Sequence, residues 1–407
     1  MTTRDPPEDG PIGELTILGT PSGPRRGARG GVVLTKKYVD GVLEYCKNWP
    51  GNVAVLVALN DLPSTDMDRV EVFPGEHGFL LEERPATVAA LKERLAKSGV
   101  VLEFLSRDST FMAGLCAEVG VPLVYISEYS RKTDLQIIDA EVTNPLRRCV
   151  RKARTWLAHR AQAKAVSVAA GVQCSGTPTH DLYKTLNADA LLFVDNRVRC
   201  ADVVSNLELQ SRAARLLEGG PLRLVFGGRL LAMKGVMDLP LVALHLTRLG
   251  VPFTLDIFGS GPLEGRLRSD VTRLGLGDRV RLRGVAQFAS EWIPMLKRDV
   301  DVFVCCHTQG DPSSTYSEVM ACGVPIAGYA NEAFEGIVRM SQAGWPSVLA
   351  QPKLLAEVIA RLSVNRHEIV DASEHAAAFA AAHAFEKTFA QRTSHLLKLA
   401  RRSRGGA

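Results

Sequence analysis

The sequence predicts an α/β protein made of two doubly wound parallel-sheet domains, because apolar runs alternate with amphipathic segments of helical length. These runs form two series, and a stretch without a strand pattern separates them. The chain has 407 residues, which is long for one hydrophobic core and fits two domains of roughly 200 residues.

Continuous apolar runs are typical of strands that are buried on both faces of a parallel sheet. The first series lies at 15–19, 53–59, 100–105, 122–127, 165–170 and 190–195, and the second lies at 222–228, 253–259, 279–284, 300–306 and 324–329. The stretch from Asn196 to Gly220 lies between them. We therefore predict an N-terminal domain at 1–205, a C-terminal domain at 206–380 and a long amphipathic helix within 381–407, with disorder before about Gly13 and after Arg401.

Composition excludes several classes of protein. No apolar run reaches the roughly 20 residues of a membrane span, and the polar, Pro- and Gly-rich start lacks the apolar stretch of a secretory signal, so we expect a cytoplasmic protein. Eight scattered cysteines without a CxxC pair indicate reduced thiols rather than a disulfide or zinc framework. A net charge of +5 gives no argument for nucleic acid as a partner.

Ligands of open α/β sheets bind at the carboxyl ends of the strands, so the loops after the first strand of each domain are candidate sites. In the N-terminal domain a glycine-rich loop places Gly30 and Gly31 where we expect a helix to begin, with free amides for an anion. The alternative is a simple flexible turn. In the C-terminal domain Arg229 closes the first strand and Lys234 follows five residues later. The pair suits a diphosphate, although two ordinary surface cations fit the same pattern.

Four motifs in order, "GGRLLAMKGV", "DIFGSGP", "RVRLRGV" and "YSEVMACGVPIAG", resemble the donor half of family 4 retaining glycosyltransferases of the GT-B fold. The resemblance covers Leu222 to roughly Val338. It implies an acceptor-binding N-terminal domain, a C-terminal domain that binds a nucleotide-diphosphate sugar, and a C-terminal helix that crosses back to the first domain. No separate cofactor and no metal are expected.

The resemblance also implies roles for single residues. Arg229 and Lys234 would hold the donor diphosphate and neutralise the leaving nucleoside diphosphate. Glu318 matches the acid that accepts hydrogen bonds from the ribose hydroxyls; the alternative is an acid favoured by the helix dipole.

Two glycine turns complete the donor site that the resemblance implies. Gly259 and Gly261 would let the chain pass close to the nucleotide. Gly284 and Val285 fall where backbone groups of the family read the base.

The loop before Glu318 departs from the family pattern. Relatives carry a first acid eight residues earlier, which contacts the transferred sugar, but that position is Gly310 and the acid Asp311 is one residue later. We expect a shifted loop in which Asp311 meets the sugar and Ser313, Ser314 and Thr315 form a phosphate cradle at the helix start. Alternatively, these side chains only cap the helix.

A second departure concerns the N-terminal domain. Many relatives have a histidine just after the fourth strand, whereas the predicted domain contains only His77, His159 and His180. By position Glu128 replaces that histidine as a catalytic candidate, and Asp108 is a second one. A surface acid at a strand end is the alternative for both.

The segment 144–164 contains seven Lys or Arg and no acid, and its apolar residues recur at helical spacing. This pattern permits docking on an anionic membrane, and it equally describes a domain helix with a solvated basic face.

The resemblance thus implies a metal-independent, hexosyltransferase-type enzyme for cell-surface polysaccharide or lipid-linked saccharide synthesis, and we expect it in the cytoplasm or at the inner face of the cytoplasmic membrane. Its partners would be a nucleotide-sugar donor and a saccharide or lipid-linked acceptor. An inactive GT-B nucleotide-sugar-binding subunit and a GT-B nucleotide-sugar epimerase are the alternatives.

Overall fold

The N-terminal domain is built on a parallel sheet. The computed structural model describes residues 12–19, 23–60 and 68–405. Within these ranges the sheet has seven strands: β1 Glu14–Leu18, β4 Val53–Val57, β6 Leu80–Glu83, β7 Ser98–Phe104, β8 Leu123–Ser127, β9 Gly171–Ser175 and β10 Ala190–Phe193. Their order is β10-β9-β8-β7-β1-β4-β6, and neighbours pair in parallel. The predicted strand at 165–170 is wrong, because the helix Pro145–Val168 contains most of it and β9 follows.

A small antiparallel sheet stands beside the first helix and corrects a prediction. It consists of β2 Arg25–Arg26, β3 Val32–Thr35 and β5 Arg69–Val72. Gly30 and Gly31 lie in the turn between β2 and β3 and not at a helix start. The Gly31 amide donates to the Glu71 carboxylate at 3.0 Å, and the Gly30 amide donates to the Gly27 carbonyl at 3.1 Å. Their predicted role in donor binding depended on a helix start with free amides. The structure shows neither, because the two residues lie in a turn and both amides already donate to protein acceptors.

The C-terminal domain has its own parallel sheet. Its strands in the described part of the chain are β11 Leu222–Gly227, β12 Phe253–Phe258, β13 Val280–Gly284, β14 Val302–Cys305, β15 Ile326–Tyr329 and β16 Gly344–Ser347. The order is β13-β12-β11-β14-β15-β16. Strand β16 was not predicted, because its sequence "GWPS" lacks a continuous apolar run.

Helices cover both faces of the two large sheets, as parallel strands require. They are α1 Lys36–Asn48, α2 Val88–Leu95, α3 Met112–Glu118, α4 Arg131–Glu141, α5 Pro145–Val168, α6 Thr177–Tyr183, α7 Asn206–Leu217, α8 Leu239–Arg248, α9 Glu264–Arg273, α10 Ile293–Asp299, α11 Ser314–Ala321, α12 Glu332–Ser341, α13 Pro352–Val364, α14 Arg366–Ala382 and α15 Phe385–Gly405. The buried apolar side chains form one core in the C-terminal domain and two in the N-terminal domain, among the residues described.

Helix α15 packs on the N-terminal domain, where the Phe389 ring meets the Tyr45 ring of α1 edge-on at 5.0 Å. The helix continues to Gly405, so the expected disorder after Arg401 is wrong for 402–405. One reason is that Arg402 forms an ion pair with Asp189 at 2.8 Å. The predicted disorder of residues 1–11 and 406–407 falls outside the described residues.

Candidate active site

Lys234 and Asp311 form an ion pair in the C-terminal domain. Lys234 ends a 3-10 turn after β11, and Asp311 lies in the loop between β14 and α11. The Lys234 ammonium is 2.8 Å from the Asp311 carboxylate, and Lys234 is only 7% exposed. A charge this enclosed needs a partner, so Asp311 neutralises the cation while no donor is bound.

Arg229 follows β11 on the same edge of the sheet, and its side chain is exposed. Its guanidinium makes no hydrogen bond or ion pair with any residue that the structure describes. Burial raises the pKa of Tyr129 above its usual range, nearby Glu128 and Asp311 raise it further, and Arg229 lowers it. Arg229, Asp311 and Glu128 therefore all lie within electrostatic range of Tyr129, although Glu128 and Tyr129 belong to the other domain.

The glycine turns bring backbone segments of the C-terminal domain together. Gly259 has φ +129°, and a Cβ there would lie 1.9 Å from the Gly228 carbonyl oxygen. A Cβ on Gly235, with φ +61°, would lie 1.8 Å from the Cys306 carbonyl oxygen. These glycines are thus required by the packing of loops on which Arg229 and Lys234 sit. Contacts of Gly259 and Gly261 with a nucleotide stay a prediction.

The predicted base-reading turn lies at the end of β13. The Gly284 carbonyl accepts a hydrogen bond from the Gly259 amide at 2.7 Å, and the Val285 side chain is exposed. This turn is therefore tied to the loop that supports the candidate diphosphate cations.

The start of α11 bears on the choice between a ligand-binding and a capping role. Ser313 is the N-cap residue, yet its side chain makes no capping hydrogen bond, and the Asp311 carboxylate contacts Lys234 instead of the helix. The hydroxyls of Ser313, Ser314 and Thr315 make no hydrogen bond to any residue in the described ranges. Side-chain capping therefore does not explain this cluster, and the hydroxyls stay free to contact a ligand.

Gly310 occupies the position of the first acid that the resemblance implies. A Cβ on Gly310 would lie 2.3 Å from the Glu332 side chain, so a larger residue there would displace Glu332 from its observed position. The Gly310 amide donates to Gln136 of α4 at 3.1 Å, and its carbonyl accepts from the Thr133 hydroxyl at 3.1 Å. The Thr133 hydroxyl also lies 3.1 Å from the Glu332 carboxylate, and Ser130 donates to the same carboxylate. This seam, made by Ser130, Thr133 and Gln136 with Gly310 and Glu332, joins the two domains.

Glu318 lies in the second turn of α11 and is 5% exposed. It is beyond the first helical turn, so the dipole alternative does not account for it. Its carboxylate accepts from Arg197 Nε at 3.1 Å, and the Arg197 guanidinium stacks 4.4 Å from the Phe288 ring centroid. An arginine from the segment between the domains therefore occupies one acceptor atom of the predicted ribose acid.

Glu128 follows β8 and faces the cleft between the domains, where its side chain is reachable by water. The surrounding cleft walls desolvate it, and the nearby carboxylates of Asp195 and Asp311 repel its charge. Together they raise the pKa of Glu128 to about 7. Such a group exchanges a proton near neutral pH, as a general acid or base requires.

A cavity of about 360 Å³ opens beside Glu128. Its wall includes Lys37 and Asp195 of the N-terminal domain, which form an ion pair, and Ser314 of the C-terminal domain. Asp108, the second acid candidate, is exposed in the loop after β7 and is not part of this wall.

Several residues around the site were not predicted. His307 and Gln309 are buried beneath the loop that carries Asp311. Burial and the Lys234 charge hold the pKa of His307 well below its usual value. Arg197 and Glu332 were not predicted from the sequence either, because their partners are more than a hundred positions away along the chain. The string "HTQGD" directly after β14 was the one local signal for His307 and Gln309.

Most basic residues and most apolar residues of helix α5 are exposed. Leu146, Val150, Trp156 and Leu157 are 78%, 50%, 43% and 62% exposed, and its buried residues are His159, Ala165 and Val166. No helix in the described ranges is long and apolar enough to cross a bilayer.

A family model described as "Glycosyl transferases group 1" matches residues 209–379. The putative colanic acid biosynthesis glycosyltransferase WcaL of Salmonella typhimurium is 27% identical over 159 residues, which is 38% of this chain and 39% of that protein. WcaL of Escherichia coli K12 is 27% identical over 149 residues, 35% of this chain and 36% of the relative. The chain thus matches less than half the length of these curated relatives.

Solved structures resemble the chain over almost its whole length. HepE of Anabaena, crystallised with UDP, has a TM-score of 0.62 at 14% identity and covers 95% of this chain and 99% of its own. WaaG, described as a glycosyltransferase involved in lipopolysaccharide biosynthesis, has a TM-score of 0.57 at 13% identity, with 94% and 99% covered. At such identities the likeness concerns the fold, and it confirms the predicted pair of facing parallel-sheet domains.

Proposed function

We propose that the chain is a retaining glycosyltransferase, because its residues 209–379 match the glycosyl transferases group 1 model and its fold resembles GT-B structures. It moves a sugar from a nucleotide-diphosphate donor to a hydroxyl of a saccharide or lipid-linked acceptor. The observation that carries this proposal is the meeting of Lys234, Asp311 and Arg229 with Glu128 of the other domain in one cleft.

The two cations suit the departing group. As the bond between the anomeric carbon and the phosphate oxygen breaks, negative charge grows on the nucleoside diphosphate. Arg229 has no competing partner among the described residues, and Lys234 has only Asp311 within ion-pair distance. Fixed cations in an enclosed cleft stabilise such charge without a metal ion, so we propose metal-independent transfer.

The acceptor oxygen attacks from the face that the phosphate leaves, so the configuration is retained. The new bond joins the acceptor oxygen to the anomeric carbon, and the acceptor proton passes to the leaving phosphate oxygen. In this proposal Asp311 contacts sugar hydroxyls once the diphosphate shares Lys234. Glu128 orients the acceptor hydroxyl or relays its proton, a role that its pKa of about 7 supports.

The class of substrate rests on the relatives. HepE has been crystallised with UDP and with UDP-glucose, and WcaL is named for colanic acid biosynthesis. These names favour a uridine donor as the first one to test, and they favour a role in cell-surface polysaccharide synthesis.

We also propose that α5 docks on an anionic membrane from the cytoplasmic side. Its exposed leucines, valine and tryptophan stand among seven Lys or Arg residues without an acid in 144–164, the pattern of an interfacial helix. An acceptor carried by a lipid would then be presented close to the cleft.

A panel of nucleotide sugars tests the proposal. Stabilisation by one donor in thermal-shift measurements should be accompanied by its hydrolysis or by transfer to an added acceptor. Arg229→Ala should weaken nucleoside diphosphate binding by about 1.5 to 3 kcal/mol, the range of a charge-assisted contact, as measured by calorimetry. Arg268→Ala is the control, since this exposed cation pairs only with Glu264 on α9.

Two results would contradict the proposal. Unchanged binding in Arg229→Ala would remove the diphosphate assignment. Donor binding without hydrolysis or transfer of any sugar would favour an inactive nucleotide-sugar-binding subunit, which the absence of the first acid at Gly310 also favours.

A further inference from the structure

Arg392 of α15 lines the cavity that also contains Glu128 in its wall. It is 6% exposed and belongs to the cavity wall. Its Nε donates to Gln173 at 2.7 Å, and no carboxylate lies within ion-pair distance of it among the residues described. Three aromatic rings surround the guanidinium. The distances from its Cζ to the ring centroids are 4.1 Å for Phe193, 4.9 Å for Phe389 and 5.5 Å for Tyr45.

An enclosed arginine without a counter-ion is costly, because the charge has left water and no anion replaces the lost hydration. The guanidinium has five N–H groups, and only the one on Nε donates to a protein acceptor. The remaining donors belong to the planar fork that binds carboxylates in two-point fashion.

Tyr45 provides a second, independent observation. The side chain is 3% exposed, lines the same cavity, and its hydroxyl makes no hydrogen bond of acceptable geometry to any residue that the structure describes. Burial raises the pKa of Tyr45 above its usual value, and the charge of Arg392 and its closeness to the hydroxyl oppose the rise. The hydroxyl therefore keeps its proton and is a donor directly beside the Arg392 guanidinium.

The cavity connects these donors with the proposed reaction site. The same cavity wall includes Glu128 and Ser314 together with Arg392, Tyr45 and the rings of Phe104 and Phe193. Sites for small ligands combine apolar and aromatic walls with a few placed polar groups, and about 360 Å³ is within the range of such pockets. The aromatic rings lie around Arg392, whereas the acids of the wall include Asp68, Glu128 and Asp195.

We propose that Arg392 and Tyr45 bind a carboxylate of the acceptor, so that the acceptor is an acidic saccharide such as one ending in a uronic acid. The identification of the ligand as a glycosyl acceptor rests on the proposed glycosyltransferase function. The anion site itself does not depend on that function. A carboxylate carries one negative charge and matches the single cation. A phosphate with nearly two charges would meet only one unpaired cation, because Lys37 and Arg197 of the same wall are already paired with Asp195 and Glu318.

The test compares three probes by calorimetry on the full chain: p-nitrophenyl β-D-glucuronide, the matched p-nitrophenyl β-D-glucoside, and p-nitrophenyl phosphate. The glucuronide should bind at least about 10-fold more tightly than the glucoside, as expected for a charge-assisted contact. Equal affinities, no glucuronide binding, or tighter binding of the phosphate would each overturn the proposal.

Two variants assign the preference to these side chains. Arg392→Gln should remove it. Tyr45→Phe should weaken glucuronide binding by about 2- to 10-fold without loss of thermal stability, because the hydroxyl has no partner in the protein. If Arg392→Gln does not fold, Tyr45→Phe decides, and unchanged glucuronide binding in that variant overturns the proposal. Arg160→Gln, an exposed cation stacked on Trp156 of α5, is the matched control.

UDP binding measured on the same samples separates the two proposals. Glucuronide binding without UDP binding would retain the carboxylate site and contradict the glycosyltransferase assignment. UDP binding without a preference for the glucuronide would do the reverse.

Discussion

Asp311 contacts the side chain that the donor phosphates would need. The carboxylate lies 2.8 Å from the Lys234 ammonium, and both groups are largely enclosed. A diphosphate that enters the cleft must therefore share this cation with Asp311. Under the proposed function, Asp311 would affect the donor in two ways, by competing for Lys234 and by contacting the sugar.

Asp311→Asn separates these two effects. The change keeps the shape and removes the charge, so bare nucleoside diphosphate should bind as tightly as before or more tightly. Sugar transfer should fall by about 10-fold or more, since a charge-assisted hydrogen bond to the sugar is lost. Calorimetry measures binding of the nucleotide, and initial rates measure sugar transfer. Equal losses in both would make Asp311 a structural residue, and Asp299→Asn in the same domain is the control.

Glu128 should make stability depend on pH in a defined window. Its pKa in the folded protein is about 7, above the ordinary value for glutamate near 4.3. A raised pKa contributes stability that is complete below about pH 4.3 and is lost as the pH rises through 7. The free energy of unfolding of the wild type, relative to Glu128→Gln, should therefore decrease from pH 4.3 to 7.

Denaturant titrations at several pH values measure this difference. Glu103, whose pKa burial also raises to about 7, is present in both proteins and cancels. Glu141→Gln, which removes an exposed acid from the end of α4, should show no such slope. A pH-independent difference for Glu128→Gln would mean that the carboxyl is not desolvated in solution.

At this scale the sequence predicted the residues that belong to local motifs. Arg229, Lys234, Asp311 and Glu318 each stand at a strand end or in a helix that the sequence itself reveals. Arg197 could not be found in this way, because its contact with Glu318 depends on how the segment between the domains is placed.

Helix α5 illustrates the limits of periodicity at the scale of an element. Apolar residues at helical spacing predicted either a face packed into the domain or a face for a membrane. The structure leaves Leu146 and Leu157 mostly exposed. The periodicity is identical in both cases, so only the packing of neighbouring elements separates them.

The double variant Leu146→Gln and Leu157→Gln should reduce binding to vesicles that contain anionic lipid. Each buried leucine contributes roughly 1.5 to 3 kcal/mol when it leaves water, so partitioning should fall at least about 10-fold. Co-sedimentation with vesicles measures it, and high salt should weaken binding of the wild type further. Val364→Gln is the control, since this valine is 82% exposed on the other domain. Equal sedimentation of both variants would contradict the docking proposal.

The wrong strand at 165–170 has the same cause. The run "AVSVAA" is apolar enough for a strand, but the helix that Asn144 caps and Pro145 opens continues through it to Val168. A short apolar run does not by itself distinguish a strand from the end of a helix.

At the scale of the whole molecule, the seam between α4 and the loop at Gly310 holds the domains together. Glu332 accepts a hydrogen bond from Ser130 of the N-terminal domain, the Gly310 amide donates to Gln136, and the Thr133 hydroxyl shares its one proton between Glu332 and the Gly310 carbonyl. These contacts lie beside Asp311, so the approach of the domains and the shape of the donor loop are coupled.

Glu332→Ala should favour a more open arrangement. Loss of its charge-assisted hydrogen bonds would destabilise the contact by about 1.5 to 3 kcal/mol. The radius of gyration in small-angle scattering should then increase for the protein without donor. Glu335→Ala on the same helix is the control, because this side chain is exposed. An unchanged radius would show that other contacts determine the closure.

The sequence predicted two facing sheets but not their distance. Strand patterns determine each domain separately, whereas the seam depends on side chains that meet across about two hundred positions, such as Thr133 and Glu332. The cavity that ends at Arg392 is unpredictable for the same reason.

Helix α15 has a consequence for the order in which the protein is made. Phe389, Leu396 and Leu399 belong to a core of the N-terminal domain, and Gln173 contacts Arg392 across 219 positions. A ribosome releases residues 385–400 only after the whole C-terminal domain has been synthesised. The first domain therefore cannot complete its core until the second domain has been synthesised, and part of its apolar surface stays exposed until then. Chaperone demand during translation should accordingly fall on the domain that is synthesised first.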